Sequence, residues 1–233
     1  MRVIKKRFRI IALSEQGRYK QDSELNVFAQ GDTMRTMMMS IVSIILAAGL
    51  LFFQPTAQAA SEADRIVLPP PDKEGGMPLM KALALRKSTR EFKDAPLTGQ
   101  DLSNLLWAAW GVNRPDGRRT APTARNTQSI EVYAAMENGV WRYEGEKHEL
   151  VKVLDLDARD RFGGWPLTLL YAAEDGPFGG MHAGSLYQNA GLYCASAGLN
   201  NVVKATGAAA LKKELNLPKG YNVLIIQSIG LPK

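Results

Sequence analysis

Apolar residues change their spacing several times along the chain, and each change marks an element. Residues 37–53, MMMSIVSIILAAGLLFF, form an uncharged apolar run of seventeen. Beyond it, Met77 to Lys87 carries Leu79, Leu83 and Leu85 as the apolar positions of a first helix, with Pro78 near its start, where a missing N–H is harmless. A second helix is predicted over Thr98 to Trp110. Leu102, Leu105, Leu106 and Ala109 make its buried stripe, and Thr98 is an N-cap with Asp101 three residues on. Residues 111–128 have no period and are rich in Gly, Pro, Arg, Thr and Asn, so they read as a loop. Ser129 to Met136 alternates as a strand, Asn138-Gly139 signals a tight hairpin, and Val140 to Tyr143 returns. Pro166 to Ala173 is a short apolar run suited to a central strand. Helical spacing resumes over Gly184 to Leu199 through Leu186, Ala190, Tyr193, Cys194 and Ala197. Its small residues Gly184, Gly191, Ala195 and Gly198 would let another helix come close. A last helix is predicted over Ala208 to Asn216, stopped at Leu217-Pro218, and Tyr221 to Ile229 reads as a buried strand. The order α, α, β-hairpin, β, α, α, β fits an α+β sandwich with helices packed on a mainly antiparallel sheet.

The N-terminal run has its own logic. Gln54-Pro55-Thr56 breaks it, and Ala57-Gln58-Ala59 is an A-x-A cleavage pattern, so residues 34–59 are expected to be a secretory signal cleaved after Ala59. The alternative is an uncleaved anchor formed by residues 37–53, the chain's one expected tie to a membrane. Residues 1–33 are polar and mixed, unlike the short basic segment a signal needs. Met34-Arg35-Thr36 in front of the run makes a compact signal, and Met34 is expected to be the true initiator. The protein is therefore expected outside the cytoplasm, periplasmic or extracellular. Residues 60–76, with three consecutive prolines, form an extended arm, and residues 77–233 form one domain.

Charge changes the picture by where it lies. The net +6 looks like a nucleic-acid signal, but residues 1–59 hold eight Lys/Arg and four Asp/Glu, which leaves 21 against 19 in the remainder. A near-neutral domain carries no nucleic-acid footprint. The single cysteine, Cys194, excludes an intramolecular disulfide, and the two histidines, His148 and His182, lack metal-ligand spacing. No metal is expected.

Two polar constellations remain. Arg86-Lys87-Ser88-Thr89-Arg90-Glu91-Phe92 places three cations and two hydroxyls where the first helix stops. Forked guanidinium donors, a point charge and a short hydroxyl suit a phosphate. The competing reading is that these cations only complement the helix dipole. Thr120-Ala121-Pro122-Thr123-Ala124-Arg125-Asn126-Thr127-Gln128 precedes a strand, and its Asn and Gln offer donor and acceptor together, as the pyrimidine edge of a flavin ring requires. Any polar surface loop has a similar composition. Trp107 and Trp110 at helical spacing read first as core or interface residues.

Taken together, Arg86-Lys87-Ser88-x-Arg90-x-Phe92, Leu105-Leu106-Trp107-Ala108-Ala109 and Ala121-Pro122-Thr123-Ala124-x-Asn126-x-Gln128 resemble the signature of the nitroreductase family. The approach LPPPDKEGGMPLMKAL, residues 68–83, is similar to the SagB-type branch, the azoline-oxidising dehydrogenases of peptide-modifying clusters. Gln188-Asn189-Ala190-Gly191-Leu192 looks like the family's long central helix, and Tyr221 to Gly230 like its last core strand. The resemblance implies an FMN-dependent oxidoreductase acting on a small molecule, built as an intertwined homodimer with two sites at the subunit interface. It implies that Arg86, Lys87, Ser88 and Arg90 hold the phosphate, ribityl chain and polar ring edge. Pro122, Thr123, Ala124, Asn126 and Gln128 would border the partner's flavin, and Lys204, Ala205 and Thr206 would pass the N5 side. Many relatives continue past the last strand to a basic residue that contacts the phosphate; Lys233 is expected either to stand in for it or to be a frayed terminus. No side chain demands a nucleophile or general-base role, so no catalytic residue is assigned. The implied chemistry is hydride transfer at flavin N5. Two alternatives keep the fold without turnover: a flavin- or ligand-binding protein, and a cofactor-free dimer.

Overall fold

Residues 64–233 of the computed structural model are described below; the readings of residues 1–33 and 34–59 fall outside them. The chain enters through β1 (Arg65–Val67), turns through the proline arm and forms α1 (Leu79–Leu85) and α2 (Gly99–Trp110). The meander β2 (Ile130–Met136), β3 (Gly139–Glu144) and β4 (Glu149–Leu154) follows, then β5 (Leu167–Glu174), the long α3 (Gly179–Ala197), β6 (Asn200–Lys204) and β7 (Tyr221–Gly230). The seven strands form one sheet in the order β1-β4-β3-β2-β5-β7-β6, and every neighbouring pair is antiparallel. The α+β sandwich read from the pattern is the fold.

The sheet buries both faces. Val132, Ala134, Leu169, Tyr171 and Ile229 point to α2 and α3, whose Leu105, Leu106, Leu186 and Ala190 are fully buried against them. Tyr133, Ala135, Leu170, Ala172 and Ile226 point to the other face, covered by Ala158, Phe162, Ala208, Leu211 and Leu215 from irregular segments. Burial on both sides explains why β5 reads as one apolar run. Leu169 and Leu170, fully buried on opposite faces, each contribute about 1.5–3 kcal/mol of transfer free energy.

Thr98 caps α2 as predicted, its Oγ1 accepting the Asp101 N–H at 3.1 Å. Three predictions need correction. The first helix is shorter, because Pro78 is its N-cap and Arg86 already turns extended at ψ 120°. The central helix starts earlier, at Gly179. A Cβ there would stand 2.6 Å from the Glu174 carbonyl oxygen, so glycine permits the close approach of helix to strand. The predicted helix over Ala208–Asn216 is one 3-10 turn, Ala208–Leu211, followed by further turns. Gly207 at φ 89° and Pro218 leave too short a run to repay helix nucleation, and tight bonds such as Lys212 N–H to Ala209 O carry the chain.

The arm is pinned to the sheet. β1 pairs with β4, and Ser103 Oγ donates to Pro69 O at 2.6 Å. His148 completes this clasp, with Nε2 2.7 Å from Ser103 Oγ and Nδ1 2.8 Å from Tyr143 OH. With the Ser103 proton directed at Pro69, the neutral ring donates from Nε2 and accepts the Tyr143 O–H at Nδ1.

Candidate functional site

The segment after α1 is fixed by its backbone. The Thr89 N–H donates to Asn201 O at 2.8 Å, and Thr89 Oγ1 accepts the Asn201 N–H at 3.1 Å. Asn200 Nδ2 donates to Glu91 O at 2.6 Å, and the Lys93 N–H donates to Leu231 O at 2.9 Å. Phe92 is buried with its ring 4.5 Å from that of Trp165. The residues of this segment thus face different tasks: Thr89 and Phe92 anchor it, while Arg86, Lys87, Ser88 and Arg90 are exposed. The side chains of these four make no hydrogen bond or ion pair among the described residues.

That absence is selective. Ten arginines lie among the described residues, and all but Arg86, Arg90 and Arg125 bond a side chain or a carbonyl. All three exceptions lie in the two constellations singled out in the sequence. The helix-dipole reading loses ground too, because the last turn of α1 contains no basic residue.

A polar relay underlies the segment. Buried Tyr171 donates from OH to Gln227 Oε1 at 2.7 Å, and Gln227 Nε2 donates to Asn201 Oδ1 at 3.0 Å. Gly191 of α3 borders the relay: a Cβ there would lie 3.7 Å from both Asn201 Oδ1 and Gln227 Nε2 and 3.9 Å from Arg86 Cδ. No side chain therefore separates the Arg86 stem from the relay. The small residue expected to admit a helix admits an arginine instead.

Lys204 closes another side. Its Nζ donates to Phe162 O at 2.8 Å and stands 5.5 Å from the Trp165 ring centroid. Burial, followed by the charge of Arg90, lowers its proton affinity, so the two cations share one field. Ala205 and Thr206 are exposed beside it.

The second constellation is a strained loop. Arg125, Asn126 and Gln128 adopt φ of 54°, 54° and 51°, a region that non-glycine residues seldom occupy. Thr123 Oγ1 accepts the Gln128 N–H at 3.1 Å, and His182 Nε2 accepts the Ala124 N–H at 2.9 Å. Pro122 and Asn126 are exposed. The Gln128 amide is engaged within the loop: its Oε1 accepts Arg119 Nε at 2.8 Å and its Nε2 donates to Gly117 O at 3.2 Å. Gln128 therefore shapes the loop, and exposed Asn126 receives only a long 3.5 Å bond at Oδ1 from Gln128 Nε2. His182 is a residue the sequence reading passed over, since one histidine in a helix carries no motif. The two constellations are anchored on α3 at Gly191 and His182, roughly 13 Å apart along the helix axis.

An antiparallel sheet covered on both faces, with unpaired cations beside its edge strand β6, defines the α+β class of this protein. The chain belongs to the nitroreductase family, whose sequence profile matches residues 83–231. It is similar to a nitroreductase-type protein of Ralstonia eutropha JMP134 in crystal structure, with 39% identity and a TM-score of 0.69, covering 75% of this chain and 93% of that one. A nitroreductase-type protein of Methanocaldococcus jannaschii is 39% identical over 83 residues, 33% of this chain, and the match spans only 42% of that relative. A chain of the E. coli microcin synthetase complex shares the fold at 21% identity and a TM-score of 0.54, covering 78% of this chain and 77% of that one.

Proposed function

We propose that this protein is an exported FMN-dependent oxidoreductase that acts on a small molecule as a homodimer. The unpartnered quartet Arg86, Lys87, Ser88 and Arg90 carries this reading. Four donors on an anchored backbone, unpaired by any carboxylate, fit a phosphate-bearing cofactor. Arg86 offers a planar fork, Lys87 a point charge and Ser88 a short hydroxyl donor to the phosphate. Arg90, in the same field as Lys204, favours negative charge at the polar edge of the ring. When bound, FMN supplies hydride and electron transfer at its N5; the protein supplies binding, orientation and electrostatics. Lys204, Ala205 and Thr206 line the side on which that atom would be approached. Pro122, Thr123, Ala124 and Asn126 belong to the partner's site, with Gln128 bracing them from within. The exposed apolar side chains of α1, Leu79, Met80 and Leu83, offer a surface for the second copy.

The SagB-type, azoline-oxidising branch is the narrower reading, supported by residues 68–83 and consistent with the fold shared with the microcin synthetase chain. Export, read from residues 34–59, separates the protein from cytoplasmic NAD(P)H and points to another donor, or to work as an oxidase or dehydrogenase. The deciding experiment is anaerobic mixing of the FMN-loaded protein with soluble donors while the flavin absorbance is followed. Rapid bleaching supports an enzyme. A flavin that stays oxidised with every donor and is reduced by no candidate substrate identifies a flavin-binding protein instead.

A further inference from the structure

His182 sits in the first turn of α3, 4% exposed, with Phe178 stacked 6.3 Å away at an interplanar angle of 18°. Its Nε2 accepts the Ala124 N–H at 2.9 Å, which requires a lone pair on Nε2 and places the proton of the neutral ring on Nδ1. Nδ1 is buried and has no partner. The ring thus has one hydrogen bond, and that bond exists only while the ring is neutral. Among the described residues it is also the one hydrogen bond that reaches residues 122–127 from an element outside the segment 111–130. The loop it holds contains three left-handed residues within four positions, a conformation that persists only where its surroundings impose it.

We propose that His182 is a positioning residue for the cofactor: neutral, it latches the Pro122–Gln128 loop in its strained form, and protonated, it repels the Ala124 N–H and releases the loop. The inference rests on the reading that this loop borders the flavin. Burial alone lowers the proton affinity of the ring. The charged residues nearest along the adjoining elements are Arg125 on the loop, Glu174 at the end of β5 and Asp175 on the turn before α3, with Glu131 on β2. Asp175 already accepts from Asn222 Nδ2, and none of these groups contributes to the shift of the ring. The latch therefore opens as pH falls below the ordinary histidine range.

The test uses the full protein, His182→Gln and His182→Phe, with FMN as the probe. Glutamine returns a non-titrating acceptor close to the Nε2 position; phenylalanine returns none. Wild-type FMN affinity should fall about tenfold between about pH 7 and about pH 5 while the far-UV spectrum stays native. The Gln variant should lose most of that pH dependence, and the Phe variant should bind weakly at both pH values. An unchanged pH dependence in His182→Gln, or wild-type affinity in His182→Phe, overturns the proposal. Amide exchange of residues 122–128 without FMN, corrected for the chemical rate at each pH, separates the latch from the cofactor reading. Protection lost at low pH in the wild type and retained in the Gln variant supports the latch even if no FMN binds. Equal protection in all three proteins at both pH values overturns it even if FMN binds well.

Discussion

Arg159 and Arg86 are arginines of one small domain, and the fold treats them in opposite ways. The Arg159 guanidinium lies along Asp157, with Nε 3.0 Å from Oδ1 and one NH2 2.8 Å from Oδ2, and Glu137 stands 3.7 Å away. Hydrogen bonding to Arg159 holds the Asp157 carboxyl below its ordinary range. Arg86 has no carboxylate, although its backbone is fixed at the end of α1 and its neighbours Lys87 and Arg90 add like charge. Pairing turns a cation into a local fastener. Leaving three cations unpaired on an anchored segment adds repulsion, which an anionic ligand offsets. The unpaired set is therefore where binding is sought, and the paired set is the control.

The largest effect should come from Arg86→Ala, which is expected to weaken FMN binding by about 1.5–3 kcal/mol, the range for a hydrogen bond to a charged group. Titration of flavin fluorescence measures it, and an unchanged affinity would mean that the phosphate is elsewhere. The anchor comes next. Asn201 is buried; its backbone serves Thr89 and its Oδ1 accepts from Gln227 beside the Arg86 stem, so Asn201→Ala, which keeps the backbone bonds and breaks the relay, should lower stability in urea by roughly 1–3 kcal/mol and loosen FMN as well. Lost stability with intact FMN affinity would separate the relay from the receptor.

The clasp of the arm gives a pH prediction. Burial lowers the proton affinity of His148, with the Pro69 carbonyl opposing and Lys73 adding to the effect. The unfolded chain then binds the proton more tightly than the fold does. The clasp contributes its full stability above the ordinary histidine value of about 6.5 and loses it as pH falls through the lower folded value. The melting temperature of the cofactor-free protein should drop in that window, and His148→Asn should shrink the drop. Arg159→Ala should have the smallest effect, under about 1 kcal/mol, as expected of a surface pair, with FMN affinity unchanged. A loss of FMN in that variant would erase the distinction between the two kinds of arginine.

What the sequence made legible was whatever carries a long period or a local rule. The α2 stripe with its Thr98 cap, the Asn138-Gly139 hairpin and the apolar runs of β5 and β7 all appear in the structure near their predicted bounds. Three strands had no such signal. β1 has three residues, β6 contributes only Val202 and Val203 between polar neighbours, and β4 is broken by Lys152, whose ammonium lies over the Trp141 ring. The Ala208–Leu215 segment carries helix-like apolar spacing because it covers a sheet face, which a series of turns also achieves. At the candidate site, residue types singled out Arg86, Lys87, Ser88, Arg90 and Asn126, which the structure leaves exposed. The roles of Gln128 as a brace and His182 as a latch depend on contacts nine and 58 residues apart in the chain, beyond any local pattern.

The free cations at the end of α1 are proposed to hold FMN. The most direct measurement is the absorbance spectrum of the purified protein after mixing with FMN and desalting. A retained flavin spectrum, shifted from that of free FMN, near one per subunit and lost in Arg86→Ala, is the result expected. A colourless wild-type protein would contradict the claim and leave the fold as a cofactor-free member of its family.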